Sequence, residues 1–177
     1  GHSAYPLHLR ERLGEEAPGI LVARGNPDLL QRPLTALLCS KKCPGNVILR
    51  TFDLVRRLRD EGNTVISGFH SSMEEECLRI LLRGRSPIIL CPARAIAGMR
   101  IPKEWRSHLE AGLLLILSPF EKSPNRPTVQ SAQKRNEMIA ALADRAILPH
   151  AEPGGETDRI RQLMEQFGIS NLHISPS

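Results

Sequence analysis

The chain has 177 residues, 41% apolar and 24% charged, with a formal charge of +5 and a pI near 9.4. At roughly 150 residues per domain this is the length of one domain with enough apolar material for a core, which excludes a disordered chain. No apolar run approaches the ~18 residues of a membrane span, no signal-peptide core follows "GHSAYP", and the positive balance leans towards anionic partners.

Gly1-His2-Ser3 reads as a cloning scar, so the domain is counted over 4–177. A short polar helix, "PLHLRERLG", opens it, and "GILVARGNPDLL" gives a strand and a Gly-Asn-Pro turn. "LTALLCS" is a continuous apolar run, the signature of a strand buried on both faces. In "NVILRTFDLVRRLRDEG" helical spacing puts Ile48, Phe52, Val55 and Leu58 on one stripe. "NTVISG" is the next strand, followed by a helix with Met73, Cys77, Ile80 and Leu81 on its buried stripe. "SPIILCP", "PKEWRSHLEAG" and "LLLILS" read as strand, helix and strand. A loop rich in proline and lysine, "PFEKSPNRP", leads to a helix from about Arg126 to Ala143. The strand "RAILPH", a Gly-Gly turn, the helix "TDRIRQLMEQFG" and a strand "NLHI" complete the chain. Strands alternating with helices predict an α/β protein, a Rossmann-like three-layer fold with a mostly parallel sheet.

Cys39, Cys43, Cys77 and Cys91 lie in or beside apolar segments, the usage of a reducing cytoplasm. Cys39 and Cys43 supply half a zinc site at most, since no second ligand pair follows at finger spacing. The expectation is no metal and no cofactor.

In an open parallel sheet, ligands bind outside the carboxyl ends of the strands. The first such loop carries Ser40, Lys41 and Lys42 just ahead of a helix N-terminus, where backbone N–H groups and the helix dipole add to the attraction for anions. A solvated lysine pair is the plainer alternative. The second carries Ser67, Gly68, Phe69, His70 and Ser71. Gly68 allows close approach or positive φ. Ser71 with Glu74, or Ser72 with Glu75, forms a capping box. Glu74, Glu75 and Glu76 repel a phosphate there, which leaves Phe69 and His70 to hold a sugar or a base. The third loop places Gly154, Gly155 and Thr157 between strand and helix, where glycines cradle phosphates, although Glu156 and Asp158 compete with an anion.

The helix before that loop puts Asn136 on an apolar stripe with Val129, Ala132, Ile139, Ala140 and Ala143. A buried amide without partners costs about 1–3 kcal/mol, so Asn136 is expected to bond a loop backbone or a ligand. Arg135 is expected at the edge of the same face. The residues alone describe an anion-friendly crevice without a convincing nucleophile or an acid/base pair.

These segments resemble the DNA-processing protein A family (DprA/Smf), within the Rossmann-like superfamily that also holds the LOG-type nucleotide hydrolases. The resemblance runs from about Tyr5 to Thr157. "YPLHLRERLGEEAPGILVARGNPDLL" looks like the family's lead-in. "TALLCSKK" resembles its first strand and Gly-Ser-Arg loop, with Ser40 and Lys41 at the serine and arginine. "VISGF" resembles its Ser-Gly turn at Ser67 and Gly68, and "KRNEMIAALADRAIL" its Arg-Asn helix at Arg135 and Asn136. The chain departs from the pattern with Cys39 for glycine, Ser71-Ser72 for Arg-Gly, Glu74 for aspartate, Leu78 for histidine and His150 for glutamate. The second loop thereby loses positive charge. Neither the family's winged-helix segment nor its N-terminal helical domain is expected within this sequence.

The resemblance implies single-stranded DNA binding by a homodimer in DNA processing, natural transformation and recombination, with hand-over to a RecA-type recombinase. It implies that Arg135 and Asn136 help to form a basic pocket. With aromatics at 3% of the chain, contacts to phosphate are expected to dominate, and Phe69 is the best single stacking candidate. Two other functions compete. A nucleotide-binding sensor domain would use the same crevice for a small ligand. A LOG-type phosphoribohydrolase would need a lysine at Asn136, a third glycine after Gly155 and a glutamate at Arg161, so a non-enzymatic role is expected.

Overall fold

The computed structural model describes residues 5–172. It contains a seven-stranded sheet in the order β1-β5-β4-β3-β2-β6-β7. Strands β2 (Leu34–Leu37), β3 (Thr64–Ser67), β4 (Ile88–Leu90), β5 (Leu114–Ser118), β6 (Arg145–Ile147) and β7 (Ser170–Leu172) run parallel to one another. β1 (Val22–Gly25) pairs antiparallel with β5 at the edge. The architecture is thus the expected α/β one. Part of the strand read over 171–174 lies outside the described residues.

The central strands are buried on both faces, as their unbroken apolar runs require. Their side chains divide alternately between two cores. Ala36, Ile66, Ile89, Leu115 and Leu117 pack under helices α1 (Leu7–Leu13), α5 (Val129–Leu142) and α6 (Glu156–Gln166). Leu37, Val65, Ile88, Leu90 and Ile116 pack under α2 (Gly45–Asp60) and α3 (Ser72–Leu82). A short helix α4 (Arg106–Glu110) precedes β5. Arg12 of α1 donates through Nη1 to the carbonyls of Ala141 (2.9 Å) and Ala143 (2.8 Å), satisfying orphan acceptors at the C-terminal end of α5.

Two predicted stripes shift. In α2 the fully buried line is Val47, Thr51, Val55 and Leu58, whereas Ile48 and Phe52 are only half-buried. Thr51 tolerates burial because its hydroxyl donates to the Val47 carbonyl at 2.7 Å. In α5 the first turn begins at Val129, three residues later than read from the sequence, with Thr128 as its cap. Val129 is 79% exposed rather than part of the apolar stripe, Ala132 is half-buried, and the stripe is buried from Asn136 onward.

The sheet order reverses between β2 and β6. From β2 the chain proceeds to β3, β4 and β5 on one side, then returns to β6 and β7 on the other. Connections leaving adjacent strands in opposite directions open a crevice at their carboxyl ends.

Candidate functional site

A cavity of about 530 Å³ lies at this switch point. Its lining includes Ser40 and Lys41 after β2, His70 and Ser71 after β3, Arg135 and Asn136 of α5, and Gly155 and Thr157 at the start of α6. Gly68 and Phe69, with His70 and Arg135 again, line an adjoining cavity of about 350 Å³. Lys42, Ser67 and Gly154 line neither cavity. Sequence reading missed the wall built by Pro127, Thr128, Val129 and Gln133. Its signal was Thr128, whose hydroxyl accepts from Ser131 N–H at 3.0 Å while the Ser131 hydroxyl accepts from Thr128 N–H at 2.8 Å. That reciprocal cap fixes where α5 starts and aims its first turn at the crevice.

Arg135 is buried to 4% exposure, not set at an edge. Its Nε donates to Asn136 Oδ1 at 2.7 Å, and its Nη1 donates to the Cys91 carbonyl at 2.9 Å. A β-carbon added to Gly68 would collide with the guanidinium. Gly68 therefore serves the close approach of Arg135. Burial pulls the pKa of Arg135 down from its ordinary value, while Cys91, Glu74 and Glu156 oppose that shift. A guanidinium stays charged regardless.

Asn136, 8% exposed, bonds two side chains rather than a loop backbone. Its Oδ1 accepts from Arg135, and its Nδ2 donates to Glu156 Oε1 at 3.2 Å. Glu156 is held in turn by Arg159, whose Nε and Nη2 donate to it at 2.9 Å and whose Nη1 donates to Glu137 at 2.8 Å. The chain Arg135–Asn136–Glu156–Arg159 thus ties α5 to α6 through side chains.

The second loop is occupied by its own carboxylate. Glu74, 5% exposed, accepts from Cys39 N–H (2.9 Å) through Oε1, and from His70 N–H (2.9 Å) and Ser71 N–H (3.2 Å) through Oε2. Ser71 completes the capping box by accepting from Glu74 N–H at 3.3 Å, which selects Ser71/Glu74 over Ser72/Glu75. The amides that would cradle a phosphate here already bond an anion of the protein. The third loop is similar: Gly154 N–H donates to Asp158 Oδ2 at 3.0 Å and Gly155 N–H to the Glu152 carbonyl at 2.9 Å. The Gly154 bond and then Arg161 hold the Asp158 carboxyl below its usual range. Ser40 links the first and third loops, its N–H donating to the His150 carbonyl at 3.0 Å and its Oγ accepting from Glu152 N–H at 3.0 Å.

Phe69 differs most from expectation. Its φ is +47°, a left-handed conformation unusual outside glycine. The residue is 5% exposed and belongs to the core beneath α3, so although it lines the smaller cavity it presents little surface for stacking. Ser67 is fully buried, and its Oγ accepts from Phe69 N–H at 3.1 Å, which helps to hold the turn. Lys41 and Lys42 are exposed at the mouth of the first loop. Arg161, where a LOG-type enzyme would carry a carboxylate, pairs with Asp158 at 2.7 Å and Glu165 at 2.5 Å. Among the described residues no group of three or more histidine, cysteine or acidic side chains is arranged to hold a metal, and no helix is long and apolar enough to cross a membrane.

Comparison with known proteins supplies the context for this geometry. A sequence model of the family described as DNA recombination-mediator protein A matches residues 1–157. DNA processing protein A of Streptococcus pneumoniae shares the fold at a TM-score of 0.77 and 22% identity, over 98% of this chain and 60% of that one. DNA processing protein A of Helicobacter pylori, described for its single-stranded DNA binding mode, gives 0.80 and 20%, over 99% of this chain and 80% of that one. A molybdenum cofactor binding protein of Rippkaea orientalis gives 0.55 and 10%, over 80% and 76%. No curated protein sequence matches the chain.

Proposed function

This chain belongs to the DNA recombination-mediator protein A family, and from that premise we propose that the crevice between β2 and β6 binds the phosphate backbone of single-stranded DNA. The observation that carries the proposal is the convergence of Lys41, Arg135 and the three strand-end loops on one cavity at the switch point. The contacts fall into two kinds. Lys41, exposed at the mouth, meets phosphate as a mobile point charge. Arg135 is fixed by Asn136 and the Cys91 carbonyl, so it presents a charge that needs little reordering on binding. Glu74 and Asp158 fill the amide cradles of the other loops, which favours diffuse attraction over a tightly caged phosphate.

The role is non-enzymatic binding in DNA processing during transformation or recombination. Dimerisation and hand-over to a RecA-type recombinase belong to the same proposal. Its setting is a cytoplasm, where all four cysteines stay thiols as they are here. Fluorescence anisotropy of a labelled oligo-dT at two salt concentrations tests the binding: salt-sensitive saturation supports it, and no binding at low salt ends it.

A second reading is favoured by the size of the crevice. About 530 Å³ lies within the range of small-ligand pockets, so a nucleotide sensor would use the same residues. A thermal shift with mononucleotides but none with oligonucleotides would select that reading.

A further inference from the structure

The smaller cavity adjoins the crevice and shares His70, Ala93, Pro127 and Arg135 with it, so the two form one continuous depression with Arg135 at the junction. Their chemistries differ. The crevice presents hydroxyls, amides, Lys41 and carboxylates. The smaller cavity is walled by Leu78 and Leu82 of α3, Leu90 of β4, Met99 and Trp105. Trp105 closes a 3-10 turn (Lys103–Trp105) in the long β4–α4 connection and is half-buried against the core, so part of the indole stays open. The polar lining carries both carboxylates, Glu75 and Glu104, and guanidiniums, Arg79 and Arg94.

A polar trough that takes phosphate on the reading proposed above, beside a small apolar cavity with mixed polar groups, matches the two halves of a nucleotide. The charged sugar-phosphate needs the first, and a flat base with donors and acceptors on its edge needs the second. At about 350 Å³ the cavity sits at the small end of ligand pockets. Phe69 lines this cavity too but is almost wholly buried in the core, so the half-buried Trp105 is its more open aromatic surface for stacking.

We propose that the cavity lined by Trp105, Met99, Leu78 and Leu82 is a nucleobase subsite, which receives the base attached to the sugar-phosphate held in the crevice. The inference rests on the reading of the crevice as a phosphate-backbone site and adds where a base goes. Donors and acceptors are both present in the lining, so the subsite accepts any base without strong preference.

Trp105 is the chain's single tryptophan, so its emission reports on this cavity alone. The test titrates the full chain with oligo-dT, with an abasic deoxyribose-phosphate oligomer of equal length and with dTMP, following Trp emission and oligomer anisotropy together. Both oligomers are expected to bind, and only oligo-dT to quench the emission, with the midpoint seen by anisotropy. Trp105→Ala should weaken oligo-dT binding roughly tenfold and leave abasic binding unchanged, a control that also shows the variant is folded. Trp105→Phe should retain most of the affinity. Oligo-dT that binds without moving the emission, or abasic DNA that quenches equally, overturns the subsite and leaves the crevice reading intact. If neither oligomer binds but dTMP quenches, the subsite stands with a mononucleotide as its ligand. If nothing binds, both readings fall.

Discussion

The guanidinium of Arg135 occupies the space that a β-carbon on Gly68 would fill. Glycine and arginine are thus one unit: the absent side chain makes room for a charge that packs against the β3 turn and bonds the Cys91 carbonyl after β4. Gly68 is not at positive φ, so the cost of a side chain there is steric alone.

Gly68→Ala is therefore expected to destabilise the protein by about 1–3 kcal/mol, in the range of overpacked sites. In an Arg135→Ala background the same change should cost almost nothing, because the colliding group is gone. Urea unfolding of the two single variants and the double variant checks this as a thermodynamic cycle. Simple additivity would show that Arg135 does not hold this position.

Glu74 accepts three backbone N–H bonds from two loops. Glu74→Ala leaves those donors without their carboxylate and should cost upward of about 2 kcal/mol, given 1.5–3 kcal/mol for hydrogen bonds to charged groups. The emptied cradle should also attract an anion. Thermal melts are expected to show sulfate raising Tm more in the variant than in the wild type. Equal shifts would mean that the amides do not face the vacated space.

His108 is buried, and burial lowers its pKa against the opposing effect of a backbone hydrogen bond to Gly84. The folded state therefore binds fewer protons than the unfolded chain as pH falls towards the unfolded value of about 6.5. Stability from this group is full above that pH and declines below it. Urea midpoints at pH 7.5, 6.5 and 5.5 should fall less steeply in His108→Gln than in the wild type. Parallel profiles would remove His108 as the cause.

Burial pushes the Cys77 and Cys91 thiols up to about 12 and raises Cys39 as well, whereas Cys43 is only partly buried. Thiolate reagents should modify Cys43 first in the native protein and reach the others only on unfolding. Counting labelled sites by mass spectrometry with and without denaturant decides this, and early modification of Cys91 would contradict the packing of the core.

The alternation of strands and helices was legible because each central strand is a short, wholly apolar run and each helix repeats at 3.6 residues. Val55 and Leu58 of α2 are buried as their spacing predicts, but the first half of the stripe lies one residue earlier, at Val47 and Thr51. Two overlapping lines of apolar residues compete there, and burial of Thr51 depends on a hydrogen bond that periodicity does not contain. That Asn136 lies on the buried face of α5 followed from its spacing. Its partnership with Glu156, 20 residues further on, follows only from the packing of α5 on α6. Phe69 was misread for a different reason: a phenylalanine after glycine in a strand-end loop looks exposed, and nothing local announces the positive φ that turns it inward. Met99 comes from a connection with no regular periodicity and Trp105 from the first turn of the predicted helix "PKEWRSHLEAG", so nothing in the sequence announces their meeting with α3.

If Lys41 and the crevice bind DNA through phosphate, the slope of log Kobs against log salt must show it. Lys41 lines the crevice and its neighbour Lys42 does not, yet both are exposed, so neither substitution disturbs the core. Oligo-dT binding by the wild type should weaken steeply with salt, and Lys41→Ala should lower the slope by about 0.7, the value for one phosphate contact on a single strand. Lys42→Ala should change the slope less. A wild type that binds without salt dependence, or a Lys41→Ala slope equal to that of the wild type, would mean that Lys41 in the crevice does not hold phosphate.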